Sequence, residues 1–283
     1  MASFKPDKEF SDIATKLWDA DENRLTPGTD YAINLQGKTF YHNMGQRDSA
    51  KEPLFSYVNM EKLKKMPTYK CFIALLDNYE SETGIAEVVT EAEVRENQVF
   101  IDAIMETKVM KIVHKYLADK KLSPKDVRGF KHQLYDMWFK LYRRTRGDRD
   151  FDSSGFEHVF VGENKRNTNE VTGFHNWIKF YLEEVKGNID YKGWLPPKIK
   201  RGRPRADNNA QLVTIQFTWK GGVKPLGSSF IGTSPEFEMA LYTLFFLTSE
   251  KDEQDVEIED YDVQVKVHHL GKMLGSCYPV IRQ

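Results

Sequence analysis

Apolar residues recur at helical spacing through most of the first half of the chain. Phe10, Ile13 and Leu17 lie three and four positions apart, and the same repeat runs through 99–117 and 130–141. This spacing places the apolar side chains on one face of each segment, as in amphipathic helices packed on a core. The sequence therefore predicts a mainly helical first half.

Beyond about residue 150 the pattern becomes mixed. Short segments rich in β-branched or aromatic residues, typical of strands, are 155–161, 212–217 and 263–267. Helical spacing returns over 174–185 and 234–247. The second of these helices opens with Ser234 and a proline, a strong start signal, because serine caps free amides and proline suits the first turn. We therefore expect an α+β fold.

No internal repeat or long Pro- or Gly-rich linker divides the chain. We expect one unit over residues 8–283, with a mainly helical lobe over about 8–147 and a mixed α+β lobe over about 148–283. The polar segment 146–154 is the candidate seam between them.

Composition excludes several classes of protein. Hydrophobic residues make up 40% and charged residues 29% of the chain, as in ordinary globular proteins, and the longest apolar stretch, 241–247, is too short to insert into a membrane. The first residues carry charge where a secretory signal needs an apolar stretch, and two cysteines are too few for a disulfide framework. We therefore expect a cytoplasmic protein.

The formal net charge of -1 removes the simplest argument for nucleic-acid binding, a strongly basic domain. The charges are uneven, however, with a basic run KIKRGRPR at 198–205 and an acidic run at 250–262, which we interpret as two loops. The R-G-R-P core resembles a segment that enters the DNA minor groove. A non-catalytic nucleic-acid-binding protein is therefore the alternative, although a solvated loop that touches RNA phosphates is the favoured interpretation.

Two of the seven histidines occupy unusual settings: His158 in GFEHVFVGE, on an expected strand, and His175 in TGFHNW, at an expected helix start. The intervening loop can fold back and bring the two imidazoles together. One histidine can then act as base and the other as acid, as cleavage of RNA requires, although a single histidine is more often a surface or core residue.

Four ordered blocks carry a resemblance to a known family: GFEHVFVGE, GFHNWIKFYLEE, VKPLGSSFIGTSPEFEMALYTLFF and GSCYPVI. Together with LWDADENRL and PGTDYAINLQG near the start, they resemble the EndoU family of poly(U)-specific endoribonucleases and, more distantly, the coronavirus uridylate-specific endoribonucleases. The resemblance implies antiparallel β-sheets with flanking helices. It also implies an enzyme that cuts single-stranded RNA at uridylates by transesterification, leaving 2′,3′-cyclic phosphate and 5′-hydroxyl ends.

The resemblance further implies that His158, His175 and Lys224 are catalytic, with His175 as base, His158 as acid and the lysine stabilising the reacting phosphate. Lys220 is the rival lysine. The family's lysine precedes a proline-containing turn before FIGTSPEFE, and this selects Lys224.

Glutamates at the positions of Glu157 and Glu163 are required in the family, so we assign both a supporting role. Each carboxylate either orients an imidazole and raises its pKa or helps to ligate an ion. Side chains alternate along a strand, so Glu157 is expected to point away from His158.

By the same resemblance, Ser276 is expected to hydrogen-bond uracil and Tyr278 to pack against the sugar or base. Residues two apart on a strand share a face, so both side chains would face the site while Cys277 turns into the core.

The resemblance also implies activation by a divalent cation, Mn²⁺ or Ca²⁺, whose ligands the sequence does not identify. DADEN at 19–23 matches the opening of a calcium loop weakly, because Arg24 stands where that loop needs glycine. A capping or packing role suits this segment better. We expect a monomer whose partner is single-stranded RNA containing uridines.

Overall fold

The computed structural model describes residues 4–40, 48–144, 149–166, 168–196, 207–259 and 261–281. Within these ranges the α-helices are α1 (Lys8–Asp19), α2 (Met60–Lys65), α3 (Pro67–Leu75), α4 (Glu91–Met105), α5 (Lys108–Asp119), α6 (Val127–Trp138), α7 (Trp177–Val185) and α8 (Pro235–Thr248). The strands are β1 (Tyr31–Ile33), β2 (Phe55–Val58), β3 (Glu163–Asn164), β4 (Val171–Thr172), β5 (Ile189–Trp194), β6 (Leu212–Trp219), β7 (Gly222–Phe230), β8 (Glu253–Ile258), β9 (Tyr261–Leu270) and β10 (Met273–Ile281). The expected α+β fold is confirmed.

Local capping explains where several helices begin. The Ser234 side chain accepts a hydrogen bond from the Phe237 amide at the start of α8, as the sequence predicts. The apolar repeat over 99–117 belongs to two helices rather than one, because the Thr107 side chain accepts from the Met110 amide and starts α5 afresh.

Two antiparallel sheets dominate the second half. One has the order β5-β6-β7 and the other β10-β9-β8. Strand β10 packs against β7, so the two sheets meet along these strands. This junction matters because β7 carries Lys224 and β10 carries Ser276 and Tyr278.

One apolar core serves both halves of the chain. The Trp18 ring of α1 packs edge-on against Phe237 of α8, with 5.5 Å between centroids. On the other side of the core, the Trp138 ring of α6 stacks on Phe160 at 5.2 Å. The helices of the first half therefore support the elements that hold the candidate site.

The expected strand over 155–161 is wrong. Residues Glu157–Val161 form a π-helical turn, in which Ser154 Oγ accepts from the Glu157 amide and the Gly162 amide closes the turn on the Glu157 carbonyl. Every side chain of this turn is buried. The β-branched and aromatic composition therefore reflects burial on all sides, which periodicity alone does not distinguish from a strand.

The acidic run was expected to be a loop, but its central part, Glu253–Ile258, forms strand β8, which pairs with β9. Val256 and Ile258 are buried in the core, while Glu257 between them is only half-buried. The basic run at 198–205 lies outside the described residues.

Candidate active site

The structure brings the five residues expected to bind or transform the substrate to a single pocket. His158, His175, Lys224, Ser276 and Tyr278 all line a pocket of about 600 Å³. They come from the π-helical turn, the start of α7 and the two strands β7 and β10, so the pocket lies where the sheets meet.

Backbone hydrogen bonds hold the two histidine segments together. The Phe174 amide donates to the His158 carbonyl (3.0 Å) and the His175 amide to the Val159 carbonyl (2.8 Å). Gly173 permits this approach, because a Cβ there would lie 1.8 Å from the His158 carbonyl oxygen and its φ is +62°. The loop between the histidines folds back through the antiparallel pair β3–β4, as the sequence predicts.

Glu163 holds the His158 imidazole directly. The two are joined by a 2.6 Å hydrogen bond between His158 Nδ1 and Glu163 Oε2. Burial, and then the Arg144 guanidinium, lower the pKa of His158 to about 4. Although burial opposes it, His158 and Arg144 keep the pKa of Glu163 below its usual value. An ionised Glu163 therefore accepts the Nδ1 proton, which leaves Nε2 as the nitrogen available to substrate.

The His175 imidazole is oriented by a neutral carbonyl group, whereas His158 is oriented by a carboxylate. Its Nδ1 lies 2.9 Å from the Ser228 carbonyl oxygen, which only accepts hydrogen bonds, so Nδ1 carries the proton and Nε2 has a free lone pair. Burial, and then the Lys224 ammonium, lower the pKa of His175 well below its usual value. A neutral imidazole with a free Nε2 is suited to accept a proton.

Lys224 is the lysine that reaches the pocket. Its side chain is buried on β7, and burial lowers its pKa to about 8, so the ammonium remains charged at neutral pH. The rival, Lys220, is exposed and donates to Ser81 Oγ at 3.0 Å outside this pocket.

Strand β10 presents Ser276 and Tyr278 to the pocket and turns Cys277 into the core, as strand alternation predicts. The Tyr278 ring stacks on the His175 imidazole, with centroids 4.2 Å apart and planes 4° apart. One face of the tyrosine is therefore occupied by the histidine. Ser276 Oγ is buried and has no hydrogen-bond partner among the described residues, so it is available to a ligand.

Glu157 does not bond its neighbour His158. Its carboxyl is fully buried, and neither oxygen has a hydrogen-bond partner within the described ranges. Burial, and then the charges of Glu163 and Glu87, raise the pKa of Glu157 well above its usual value. Glu157 does not line the active-site pocket, and it lies on a helical turn rather than on the expected strand.

Comparison with known proteins agrees with this geometry. The family model described as "Endoribonuclease XendoU" matches residues 9–279. The chain belongs to the XendoU family. It is 51% identical over 278 residues to a Poly(U)-specific endoribonuclease of Xenopus tropicalis, covering 96% of this chain and 93% of that protein. It is 50% identical over 277 residues to Uridylate-specific endoribonuclease B of Danio rerio, covering 97% and 96%.

A solved structure supports the same assignment. "The structure of XendoU: a splicing independent snoRNA processing endoribonuclease" superposes with a TM-score of 0.85 at 49% identity, and the match covers 99% of each chain. The protein is therefore an endoribonuclease of the XendoU family. This membership does not favour the alternative of a non-catalytic nucleic-acid-binding protein.

Arg144 is a site residue that sequence reasoning missed. It lines the pocket, donates to the Gly275 carbonyl at 2.7 Å and approaches Glu163 Oε2 at 3.5 Å. Arg144 lies six residues beyond Trp138, the last residue of α6, so it is not part of that helix. The guanidinium instead joins the His158 segment to β10, and no local pattern around Arg144 signals this contact.

Among the described residues, no group of three or more His, Cys, Asp or Glu side chains is arranged to hold a metal ion. Across the same ranges no helix is long and apolar enough to cross a membrane.

Proposed function

We propose that this XendoU-family endoribonuclease cleaves single-stranded RNA at uridylates by transesterification, leaving 2′,3′-cyclic phosphate and 5′-hydroxyl ends. The observation that carries the proposal is the convergence of two imidazoles and a buried ammonium on one pocket. The names of the relatives, which describe poly(U)- and uridylate-specific endoribonucleases, support the choice of base.

In this mechanism His175 Nε2 takes the proton of the 2′-hydroxyl, and the 2′-oxygen attacks the adjacent phosphorus. The bond to the 5′-oxygen of the next nucleotide breaks, and His158 Nε2–H protonates that oxygen as it leaves. Lys224 stabilises the negative charge that develops on the non-bridging oxygens. The hydrogen bond from His175 Nδ1 to the Ser228 carbonyl supports the role of base, because it leaves Nε2 unprotonated.

His158 must carry a second proton to act as the acid. Burial and Arg144 oppose that charge, whereas the Glu163 carboxylate at 2.6 Å favours it. The substrate phosphate adds a negative charge beside the ring and favours it further. We therefore assign Glu163 the role of orienting His158 and stabilising its imidazolium form.

Uridine is recognised by Ser276 and Tyr278 in this proposal. The unpartnered Ser276 hydroxyl hydrogen-bonds the uracil edge, where cytosine presents an amino donor instead of an acceptor. Tyr278 holds His175 by stacking and packs against the nucleoside with the rest of its ring.

An oligonucleotide with a single uridine tests the reaction type. Replacing that uridine with 2′-deoxyuridine should abolish cleavage while binding persists, because the nucleophile is the substrate's own hydroxyl. Cleavage of the deoxy substrate at a comparable rate would overturn the proposal. Mass spectrometry of the products distinguishes a cyclic phosphate from a linear one.

We further propose a monomeric, cytoplasmic enzyme that Mn²⁺ or Ca²⁺ supports by ordering loops or RNA, and no reaction step is assigned to the ion. Turnover in the presence of a chelator tests the role of the ion. Unchanged folding and turnover after chelation would remove the ion from the proposal.

A further inference from the structure

A second pocket, of about 380 Å³, opens beside the active-site pocket. We call it the hairpin pocket, because the turn between β6 and β7 forms one wall. The opposite walls come from the start of the β3–β4 connection and from the segment after α3. The β6–β7 turn contributes Lys220, Gly221 and Gly222, and the segment after α3 contributes Ser81 and Glu82. The end of β3 and the connection that follows it contribute residues 164–166 and 168–169.

The hairpin pocket adjoins the active-site pocket along two segments. Asn169 lines the hairpin pocket and the next residue, Glu170, lines the active-site pocket. On β7, Gly222 lines the first pocket and Lys224 the second. Residues two apart on a strand share a face and lie about 7 Å apart. One RNA chain whose phosphate meets Lys224 can therefore reach the hairpin pocket without leaving the protein surface.

The charge of the hairpin pocket suits a polyanion. Among its described lining residues are three cations, Lys165, Arg166 and Lys220, and one carboxylate, Glu82. Arg166 approaches Glu82 only at 3.9 Å, and Lys165 approaches Glu170 at 3.8 Å. Such loose, exposed ion pairs contribute little and exchange readily for a phosphate.

The hairpin tip holds a defined shape. Lys220 (φ 48°) and Gly221 (φ 85°) are both in the left-handed region, which turns the chain sharply. A Cβ on Gly222 would lie 2.3 Å from the Asn164 side-chain oxygen, so the tip packs closely on β3 and a larger residue would displace the Asn164 side chain. Lys220 Nζ is tied to Ser81 Oγ at 3.0 Å across the pocket.

We propose that the hairpin pocket is a binding subsite for the RNA chain beyond the scissile bond, in which Arg166 and Lys220 contact the phosphate of a neighbouring nucleotide. The inference rests on the proposed function, because it assumes that RNA occupies the active-site pocket. Both residues bind substrate and take no part in the chemical step.

The double variant Arg166→Ala/Lys220→Ala tests this subsite with two substrates. One is a dinucleotide with uridine at its 5′ end, and the other is a decamer with a single central uridine. We expect kcat/KM for the decamer to fall by about tenfold at low salt, through KM, and the dinucleotide to be cleaved as by the wild type. The dependence of decamer affinity on salt should weaken by about 0.7 per cation removed, in a plot of log K against log salt.

The matched control is Lys70→Ala/Lys251→Ala, which removes two exposed lysines that line neither pocket. It should leave both substrates unaffected. An unchanged KM for the decamer in the Arg166/Lys220 variant, or an equal loss on both substrates, would overturn the subsite. A wild-type protein that cleaves neither substrate would instead contradict the proposed function.

Discussion

Replacing Ser276 with alanine should make the protein more stable and its cleavage less selective. The Ser276 hydroxyl is buried, and no group within the described residues pairs with it. A buried hydroxyl without a partner costs about 1–3 kcal/mol of stability, because it has left water and gained nothing. In the proposed complex the same hydroxyl pairs with uracil, so the cost would be removed only when the correct base binds.

The two effects follow from this one hydroxyl. Ser276→Ala should raise the free energy of unfolding by about 1 kcal/mol, which is about 2 °C in Tm for a chain of this size. It should also reduce the discrimination between uridine and cytidine by about 1–2 kcal/mol, a factor of roughly 5 to 30. The rate on uridine should change less than the ratio, because the groups of the chemical step remain in place.

Competition between two oligonucleotides that differ only in one uridine or cytidine measures the ratio, and urea unfolding measures stability. Ser228→Ala is the control in the same pocket, since its hydroxyl is paired with Thr214 Oγ1 at 2.8 Å. That variant should lose stability and keep its selectivity. A Ser276 variant with an unchanged ratio would place uracil recognition elsewhere, and a less stable one would show that its hydroxyl is paired after all.

The remaining predictions concern charge. Lys224→Ala should lower kcat by about 100-fold or more, whereas Lys220→Ala should mainly raise KM. Steady-state kinetics measures both constants, and the reverse pattern would show that Lys220 is the catalytic lysine. His175→Ala should lower kcat by about 100-fold or more with unchanged circular dichroism, and near-normal turnover would exclude it as the base. Burial raises the pKa of Asp21 to about 7, so the folded state holds a proton that the unfolded chain releases near pH 4. Stability should therefore fall by up to about 4 kcal/mol as the pH rises from 4 to 7, and urea unfolding of Asp21→Asn should show a flatter dependence.

Local sequence signals predicted the structure correctly where it depends on residues that are close together in the sequence. The apolar spacing of Ile13 and Leu17 predicted α1, whose buried face they form. The Ser234 cap predicted the start of α8, because a helix N-terminus is satisfied by groups within three residues. Strand alternation likewise predicted that Ser276 and Tyr278 share a face.

The conformation of the His158 segment depended on contacts that are distant in sequence. Residues 155–161 have the composition of a strand, but they form a helical turn because aromatic side chains surround them on all sides. Phe156, for example, lies against the rings of Phe72, Tyr79 and Phe139. A segment buried on every face shows no alternation of polar and apolar residues, so its period carries no information about its backbone.

By itself, the sequence determined the α+β class, the family and the residues that converge on the pocket, because these are recorded in short motifs and local spacing. Only the tertiary structure decided the charge states and the neighbours of those residues. Arg144 reaches Gly275 across 131 positions of chain, and burial lowers the pKa of Lys224 to about 8. Contacts between segments that are distant in the sequence likewise decided the position of the hairpin pocket. Desolvation and long-range contacts arise only when the chain is packed, and no window of sequence contains them.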